Sequence, residues 1–375
     1  MNRIIHLPII ALSILLTACC PSGEEKAWNL STDSLKYSSL LTIARADSFT
    51  LVTVKDAWNP ERDLHRYILV PEKAPLPTER PAGTLLRTPL RRTVMHNAVH
   101  AALVAELGCA GGIAGLCDVD YVQTPELQRL LDLGVIADAG SSVQSDVERY
   151  ISLRSDAVFT APLEHANYGV LEKVGIPIVE CADYLETSAL GRAEWVRFFG
   201  LLFDCEAQTD SLFAAVEKRY IALRDSAQQT HQRPRLMVDL INGAAWNMPA
   251  GGSYLGQLFA DAGATYILAD DTRSGSVPLS IENVVNLAAE ADIWLIKHAR
   301  SHTLTYNDLR REHASYATFR PWKERKIFFC NTLTTDFYER IPFHPDVLLQ
   351  ELSYLLHPEL ATASFEAVYY TRMKP

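Results

Sequence analysis

The sequence predicts an α/β protein in which two lobes, each built on a parallel sheet, are joined by one long rigid helix. Residues 206–230 contain neither glycine nor proline, and their apolar side chains recur at steps of four and three, which places them on one helical face. At about 1.5 Å per residue this helix spans roughly 35–40 Å, the width of a domain. Strand and helix signals alternate on both sides of it, as in parallel sheets. The alternative is a surface helix of one large domain.

The linking helix, assigned to residues 205–232, has recognisable ends. Asp204 is a plausible N-cap, and Glu206 and Asp210 lie near the positive end of the helix dipole. Pro234 stops the pattern. The predicted apolar stripe consists of Leu212, Val216, Tyr220 and Leu223.

The N-terminus has the features of an export signal. Arg3 is followed by an apolar run over residues 7–16, which is too short to span a bilayer. The sequence Leu-Thr-Ala-Cys at residues 16–19 resembles a bacterial lipobox, in which cleavage precedes a cysteine that is then lipidated. We therefore expect a signal peptide over residues 1–18 and an exported chain, on the periplasmic or cell-surface side, anchored to a membrane by lipid on Cys19. The alternative is a plain secretory peptide cut near Ala18. A tether over residues 19–45 follows, because its first residues are poor core formers.

The composition limits the classes of function that the sequence supports. The formal charge of -10 over 375 residues argues against a nucleic-acid-binding surface. Of the seven cysteines, five lie beyond the lipobox region, and they have no metal-type spacing. We expect buried thiols, with Cys109–Cys117 and Cys181–Cys205 as the pairs that an oxidising compartment would join.

The region from residue 46 to residue 91 is predicted to form a hairpin and a connector. Residues 49–54 and 65–70 are β-rich, and residues 71–81 carry four prolines, which predicts a loop.

The first lobe is assigned to residues 92–204 and the second to residues 233–375. In lobe one we predict strands at 93–95, 112–116, 157–160 and 178–180, and helices at 98–107, 143–153, 168–174 and 188–203. In lobe two we predict strands at 235–241, 293–296 and 326–330, and helices at 254–262, 281–289 and 347–356. Residues 242–253 are predicted to be a loop.

Ligands bind outside the carboxyl ends of parallel strands. Here those ends are the loops at residues 96, 118–121, 161–165, 246–253, 297–302 and 332–338. If the two lobes face each other, these loops converge on one cleft.

Three segments resemble the iron-complex and cobalamin class of substrate-binding proteins of ABC importers. They begin at Val174 (VGIPIVECADYLETSALGRAEWVRFFGLLF), at Gly251 (GGSYLGQLFADAGATYILADDTRSGSVPLSIENVVNLAAEADIWL) and at Asp336 (DFYERIPFHPDVLLQELSYLLHPEL). The resemblance covers roughly residues 92–360, in the family's order. It implies the class III periplasmic binding protein fold, with limited hinge motion. It also implies capture of a ferric siderophore, haem or cobalamin and delivery to a membrane permease driven by an ATPase. We expect a monomer with no cofactor.

A cleft for a large chelate needs aromatic faces and a few fixed polar groups. Arginines there would pair with carboxylates of the ligand, and the alternative for each residue is ordinary packing or a solvated surface. The expected ligand-binding residues are His96, Asp118, Tyr121, His165, Tyr184, Trp246, Met248, Ser253, Tyr254, Arg273, His298, Arg300 and Tyr338.

A bare-metal site is the first alternative function. Zinc or manganese would be held by histidines from both lobes, with Glu164 or Asp118 completing the set. The candidate ligands are His96, His165, His298 and His302. In a further variant of this hypothesis, one of these histidines is an axial ligand of a bound haem.

Permease docking and catalysis complete the hypotheses. The family resemblance implies an acidic residue on the rim of each lobe, and Glu164 lies in the right kind of loop of lobe one. For an exported hydrolase, residues 251–256 resemble a nucleophile elbow, but Leu255 stands where glycine is needed. We expect a protein that is not an enzyme.

Overall fold

The computed structural model describes residues 28–165 and 167–374. The predicted signal peptide, Cys19 and the first part of the expected tether lie outside the described residues. Within the described ranges, none of the helices combines the length and apolar character needed to span a bilayer.

A five-stranded sheet precedes the first lobe, where we predicted a tether up to residue 45 and then only a hairpin and a connector. Its strands follow chain order, with antiparallel pairing up to the fourth strand and parallel pairing between the last two. They are β1 (Ser31–Thr32), β2 (Leu41–Arg45), β3 (Thr50–Lys55), β4 (Asp63–Pro71) and β5 (Thr84–Thr88). The predicted hairpin corresponds to β3 and β4. The expected tether is corrected over its last part, because Leu41 and Ile43 of β2 are buried and pair with β3.

Lobe one contains a five-stranded parallel sheet in the order β10-β9-β6-β7-β8. Its elements are β6 (Thr93–Met95), α1 (Ala98–Glu106), β7 (Ile113–Leu116), α2 (Pro125–Asp132), β8 (Ala137–Asp138), α3 (Val147–Ser152), β9 (Ala157–Thr160) and β10 (Ile178–Glu180). Strands β6, β7 and β9 are buried along their whole length, as expected where helices cover both faces. The helix predicted at residues 168–174 is only a 3₁₀ turn, Leu171–Lys173, and α2 was missed.

Three helices lead from lobe one to lobe two: α4 (Ala189–Glu194), α5 (Val196–Phe203) and α6 (Glu206–Gln228). The long linking helix is confirmed as α6, and Phe213, Val216 and Tyr220 form the buried part of its stripe. Asp204 is not its N-cap. Asp204 ends α5 with a left-handed φ of 57°, and Cys205 precedes α6.

Lobe two contains two sheets. The larger has five strands in the order β14-β11-β16-β17-β18 and is parallel except for the edge strand β18. The smaller is antiparallel and has three strands in the order β12-β13-β15. The strands are β11 (Arg235–Val238), β12 (Ile241–Asn242), β13 (Ala245–Pro249), β14 (Thr265–Tyr266), β15 (Ser276–Leu279), β16 (Ile293–His298), β17 (Ile327–Asn331) and β18 (Thr371–Arg372). The helices are α7 (Tyr254–Asp261), α8 (Ile281–Ala288), α9 (Tyr306–Glu312), α10 (Arg320–Lys323), α11 (Phe337–Arg340) and α12 (Pro345–Leu356).

The two lobes are held together directly as well as through α6. The buried carboxylate of Glu339 in α11 accepts hydrogen bonds from the backbone N–H groups of Gln123 and Thr124 in lobe one, both at 2.6 Å. His344 lies 2.8 Å from the Glu106 carboxylate at the end of α1. These contacts oppose rotation of one lobe against the other.

The loop between β1 and β2 of the N-terminal sheet braces residues 183–203, which contain α4 and α5 and which we call the crossing segment. Backbone N–H groups of residues 36–38 donate to Glu194, and those of residues 39 and 40 donate to Glu186. Both carboxylates are buried, and the indole N–H of Trp195 also donates to Glu186. Because charge-assisted bonds are strong, the sheet and the crossing segment form one unit.

The five described cysteines are free thiols. Cys205 lies beside the thiol of Cys109. Burial and, to a smaller extent, this neighbouring thiol raise the pKa of Cys205 to about 12. Cys117 contacts the Tyr150 hydroxyl. Neither of the disulfide pairs considered from the sequence, Cys109–Cys117 and Cys181–Cys205, is formed.

Candidate functional site

A cavity of about 700 Å³ lies between the crossing segment and the strand ends of lobe two. Lobe one contributes Tyr184 and Arg192, and lobe two contributes the rest of the lining. The lining residues from lobe two are Asp239, Leu240, Ile241, Asn242, Asn247, Pro249, Ser253, Tyr254, Leu255, Gly275, Ser276, Lys297, His298, Ala299, Arg300 and Tyr338.

The wall contributed by lobe one is organised around Arg192, which is 7% exposed. Its Nε donates to Asp183 at 2.9 Å, and its guanidinium lies 4.8 Å from the centre of the Tyr254 ring. The other Asp183 oxygen lies 2.8 Å from His100 Nε2. Burial alone would raise the pKa of Asp183, but Arg192 and His100 outweigh burial and lower it. Arg192 is therefore fixed as a cation over an aromatic ring.

The facing wall carries a second ion pair, which is partly buried, at the ends of β16 and β11. Lys297 Nζ lies 2.6 Å from Asp239 Oδ1. Burial alone would lower the pKa of Lys297, but Asp239 outweighs burial and raises it, so the amine stays charged. Tyr338 lines the same wall, and its ring lies near this amine. The wall therefore offers an ammonium and a phenol to a ligand.

His298 and Arg300 continue the same strand end. Both ring nitrogens of His298 are buried and lack a hydrogen-bond partner among the described residues, and its ring centre lies 5.5 Å from that of Phe329. Burial lowers the pKa of His298, which keeps the ring neutral. Arg300 is paired with Glu312.

The glycine-rich turn before α7 has a structural explanation. A Cβ on Gly251 would lie 2.3 Å from the carbonyl oxygen of Leu268, so only glycine fits there. Ser253 donates to the Ala250 carbonyl at 2.6 Å and accepts from the N–H of Gly256 at 3.1 Å, which makes it the N-cap of α7. Its hydroxyl is thus used in capping, and the likeness of this turn to a nucleophile elbow does not extend to its geometry.

Six of the predicted ligand-binding residues line the cavity, and they come from four separate segments of the chain. They are Tyr184, Ser253, Tyr254, His298, Arg300 and Tyr338. The structure thus brings together the loop after β10, the start of α7, the end of β16 and the start of α11.

Trp246 and Met248 need correction. Both are fully buried. They lie on the buried face of β13, and Asn247 between them lies on the exposed face. Trp246 packs against Trp294, with ring centres 5.8 Å apart, and its indole N–H donates to the Val238 carbonyl at 2.9 Å. These side chains form part of the core of lobe two and are closed to a ligand.

His96 and Asp118 are also corrected. His96 is 5% exposed, and its ring lies 3.1 Å from the Tyr150 hydroxyl and 3.2 Å from the Thr160 hydroxyl. Burial lowers the pKa of His96 to about 4. Asp118 accepts a hydrogen bond from the Ser142 hydroxyl. Both residues are satisfied within lobe one.

The remaining predicted residues are exposed and lie outside the lining of the cavity. The Tyr121 side chain is 71% exposed, and Arg273 is paired with Asp271 on the surface. His165 and Glu164 lie 3.6 Å apart in the loop after β9.

The four histidines of the bare-metal alternative lie in separate places. His96 is inside lobe one, His165 is on an exposed loop, His298 lines the cavity, and His302 lies 3.8 Å from Asp308 outside it. Across residues 28–165 and 167–374, no three His, Cys, Asp or Glu side chains are arranged to hold a metal ion.

Sequence reasoning missed three charged residues of the cavity: Arg192, Asp239 and Lys297. Asp239 and Lys297 had a usable signal, because each follows a buried apolar run at the end of a parallel strand. Arg192 had none, since it looks like one charged residue in an amphipathic helix.

Comparisons with known proteins agree with this architecture. A family model described as "Periplasmic binding protein" matches residues 112–331, more than half of the chain. An uncharacterized lipoprotein of Methanocaldococcus jannaschii is 24% identical over 286 residues, which are 73% of this chain and 67% of the relative.

Two solved structures share the fold. A periplasmic heme binding protein from Pseudomonas aeruginosa has a TM-score of 0.58 and 16% identity, covering 76% of this chain and 99% of its own. A possible iron-binding (periplasmic solute-binding) protein from Staphylococcus epidermidis has a TM-score of 0.57 and 16% identity, covering 72% of this chain and 100% of its own.

Proposed function

Because the chain belongs to the periplasmic binding protein family, we propose that it is the substrate-binding component of an ABC importer. Its task is to capture a ligand in the cavity between the lobes and to deliver it to a membrane permease driven by an ATPase. The N-cap role of Ser253 favours binding over hydrolysis at this site.

The ligand class that we propose is a metal chelate with anionic groups: a ferric siderophore, haem or a corrinoid. One observation carries this proposal, namely that Arg192, Lys297 and Arg300 line one cavity together with three tyrosines. Cations bind the carboxylates or other anionic groups of a chelate, and the tyrosine rings bind its flat or apolar parts. A volume of about 700 Å³ lies within the usual range for small-molecule sites. The two solved relatives named above as heme-binding and iron-binding support the same class.

Export and docking complete the proposal. We infer that the chain is exported and anchored by lipid on Cys19, which the lipoprotein relative supports. Glu164 is exposed on the loop after β9, where it is free to meet a basic pocket of the permease. The protein then acts as a monomer.

A titration tests the ligand class. The full chain carrying Cys19→Ala, which removes the site of lipidation, is titrated calorimetrically with haemin, a ferric hydroxamate, a ferric catecholate and cyanocobalamin. We expect saturable binding of one of them. Lys297→Gln should weaken it by at least about tenfold, the loss of one charge-assisted bond.

The matched control is Lys326→Gln, which removes an exposed lysine of the same lobe that pairs with Glu324 at 2.8 Å. Its affinity should equal that of the parent chain, and circular dichroism should show both variants folded. Equal losses in the two variants, or no binding of any chelate, would contradict the proposal.

A further inference from the structure

A second cavity, larger than the first, lies on the outer side of lobe two. Its volume is about 940 Å³, and it shares no lining residue with the cleft. Its walls are the segment that runs from the end of β16 into α9, the end of β17 with the loop after it, and the C-terminal strand β18. We call it the outer groove.

Four cations line the outer groove without carboxylate partners. Among the described residues, no ion pair involves Arg310, Arg325, Arg372 or Lys374, and no Asp or Glu lines the groove. The two acidic residues of α9 are already engaged. Asp308 caps α9 through Thr305 and faces Arg311, and Glu312 pairs with Arg300. In a chain of net charge -10, such a cluster of unpaired cations calls for an external anion.

Hydrogen-bonding groups surround these cations. The lining includes Ser301, Thr303, Asn307 and Thr371, whereas the side chains of Thr305, Asn331, Thr334 and Thr335, which also line it, already donate hydrogen bonds within the protein. Tyr306, which is 7% exposed, also lines the groove, and its hydroxyl has no hydrogen-bond partner among the described residues. The Arg325 guanidinium lies 4.3 Å from the centre of the Tyr306 ring and close to the Tyr306 hydroxyl. A buried hydroxyl without a partner costs free energy unless a ligand satisfies it.

We propose that the outer groove binds a molecule bearing at least two negative charges on phosphate groups. Guanidinium groups match the oxygens of phosphate in pairs, and hydroxyl and amide donors fill the remaining positions. The half-buried Phe329 and the exposed Val368 give the organic part of such a molecule an apolar contact. The shared chemistry is that of a soluble polyphosphate or of a phospholipid headgroup, and it is independent of the ligand in the cleft.

The test has two arms, both with the full chain carrying Cys19→Ala. In the first arm, inorganic pyrophosphate and ATP are titrated calorimetrically at physiological ionic strength. In the second, the protein is sedimented with phosphatidylcholine vesicles with and without cardiolipin, whose headgroup carries two phosphates. The double variant R310Q/R372Q should weaken binding by at least about tenfold, and Tyr306→Phe should weaken it by a smaller factor.

The matched control removes two exposed cations of lobe one, Arg149 and Lys173, as R149Q/K173Q. It carries the same net charge as the groove variant and should bind like the parent chain. Binding in the first arm that is lost only in the groove variant assigns a soluble phosphate ligand. The same pattern in the second arm alone assigns a lipid headgroup. Equal losses in the two double variants, or no binding in either arm, would overturn the proposal.

Discussion

The carboxyl ends of the two parallel sheets carry polar residues of similar kinds, but they are used differently. In lobe one, His96 is bonded to Tyr150 and Thr160 inside the lobe. In lobe two, Lys297 and His298 lie on the wall of the cavity. Shared topology therefore does not give shared function: the strand ends of lobe one are mostly closed, and those of lobe two are open to a ligand.

The crossing segment compensates for the closed end of lobe one. It carries Tyr184 and Arg192 to the cavity, and the N-terminal sheet holds it in place through Glu186 and Glu194. The cleft thus has one wall made of strand ends and one made of a braced helix. The predictions below separate residues that hold these walls from residues that meet the ligand.

The largest expected effect is on stability, from Asp183→Asn. Arg192 would lose its buried carboxylate partner, and breaking a buried pair costs about 3–5 kcal/mol. Urea unfolding measures it. The control is Asp271→Asn, whose ion pair with Arg273 lies on the surface of lobe two and whose loss should change the unfolding midpoint little. Equal midpoints for the two variants would mean that Asp183 does not hold the wall.

Trp246→Ala should also cost about 3–5 kcal/mol, because it leaves a cavity in the core beside Trp294. The affinity of the folded variant for the cleft ligand should stay unchanged, since the ring is closed to the cavity. Calorimetric titration well below the unfolding temperature gives that affinity. A loss of affinity without a loss of stability would restore Trp246 to the ligand-binding set.

His96 makes lobe one sensitive to acid. Its pKa falls from 6.5 to about 4 on folding, so between these values the unfolded chain binds the proton and the folded chain does not. Stability is therefore lost as the pH falls from 6.5 towards 4, by about 3 kcal/mol. His96→Gln should flatten this slope, measured by urea unfolding at a series of pH values. The exposed His165→Gln should leave the slope as it is, and a matching slope in both variants would show that His96 is not its source.

Much of the fold could be predicted from the sequence, because its signals are local. A segment without glycine or proline and with a helical stripe became α6, and short apolar runs became the buried parallel strands. Strand β2 was missed because its stability depends on pairing with β3. Strand β13 was missed because the polar and glycine residues near Gly243 outweighed the alternation of Trp246 and Met248.

The site was less predictable, because its chemistry depends on contacts between distant residues. Arg192 matters through Tyr254 and Asp183, and nothing in the local sequence of α4 marks it. His96 followed the same strand-end rule as His298, but Tyr150, which is distant in sequence, satisfies its ring. A rule about strand ends locates candidates, and only the three-dimensional packing separates the satisfied ones from the available ones.

Two exposed tyrosines give the smallest and sharpest test of the asymmetry between the lobes. Tyr338 is 55% exposed and lines the cavity from lobe two, whereas Tyr121 is 71% exposed on lobe one and lies outside the lining. Tyr338→Ala should weaken binding of the cleft ligand by about five- to tenfold, since one aromatic contact contributes roughly 1 kcal/mol. Tyr121→Ala should leave the affinity unchanged, and neither variant should alter the unfolding midpoint much, because both side chains are largely solvated.

Calorimetric titration of the two variants in parallel measures their affinities for the cleft ligand. Equal losses would place the rim of lobe one against the ligand as well, and the cleft would then be shared between the two sheets instead of being built by lobe two and the crossing segment.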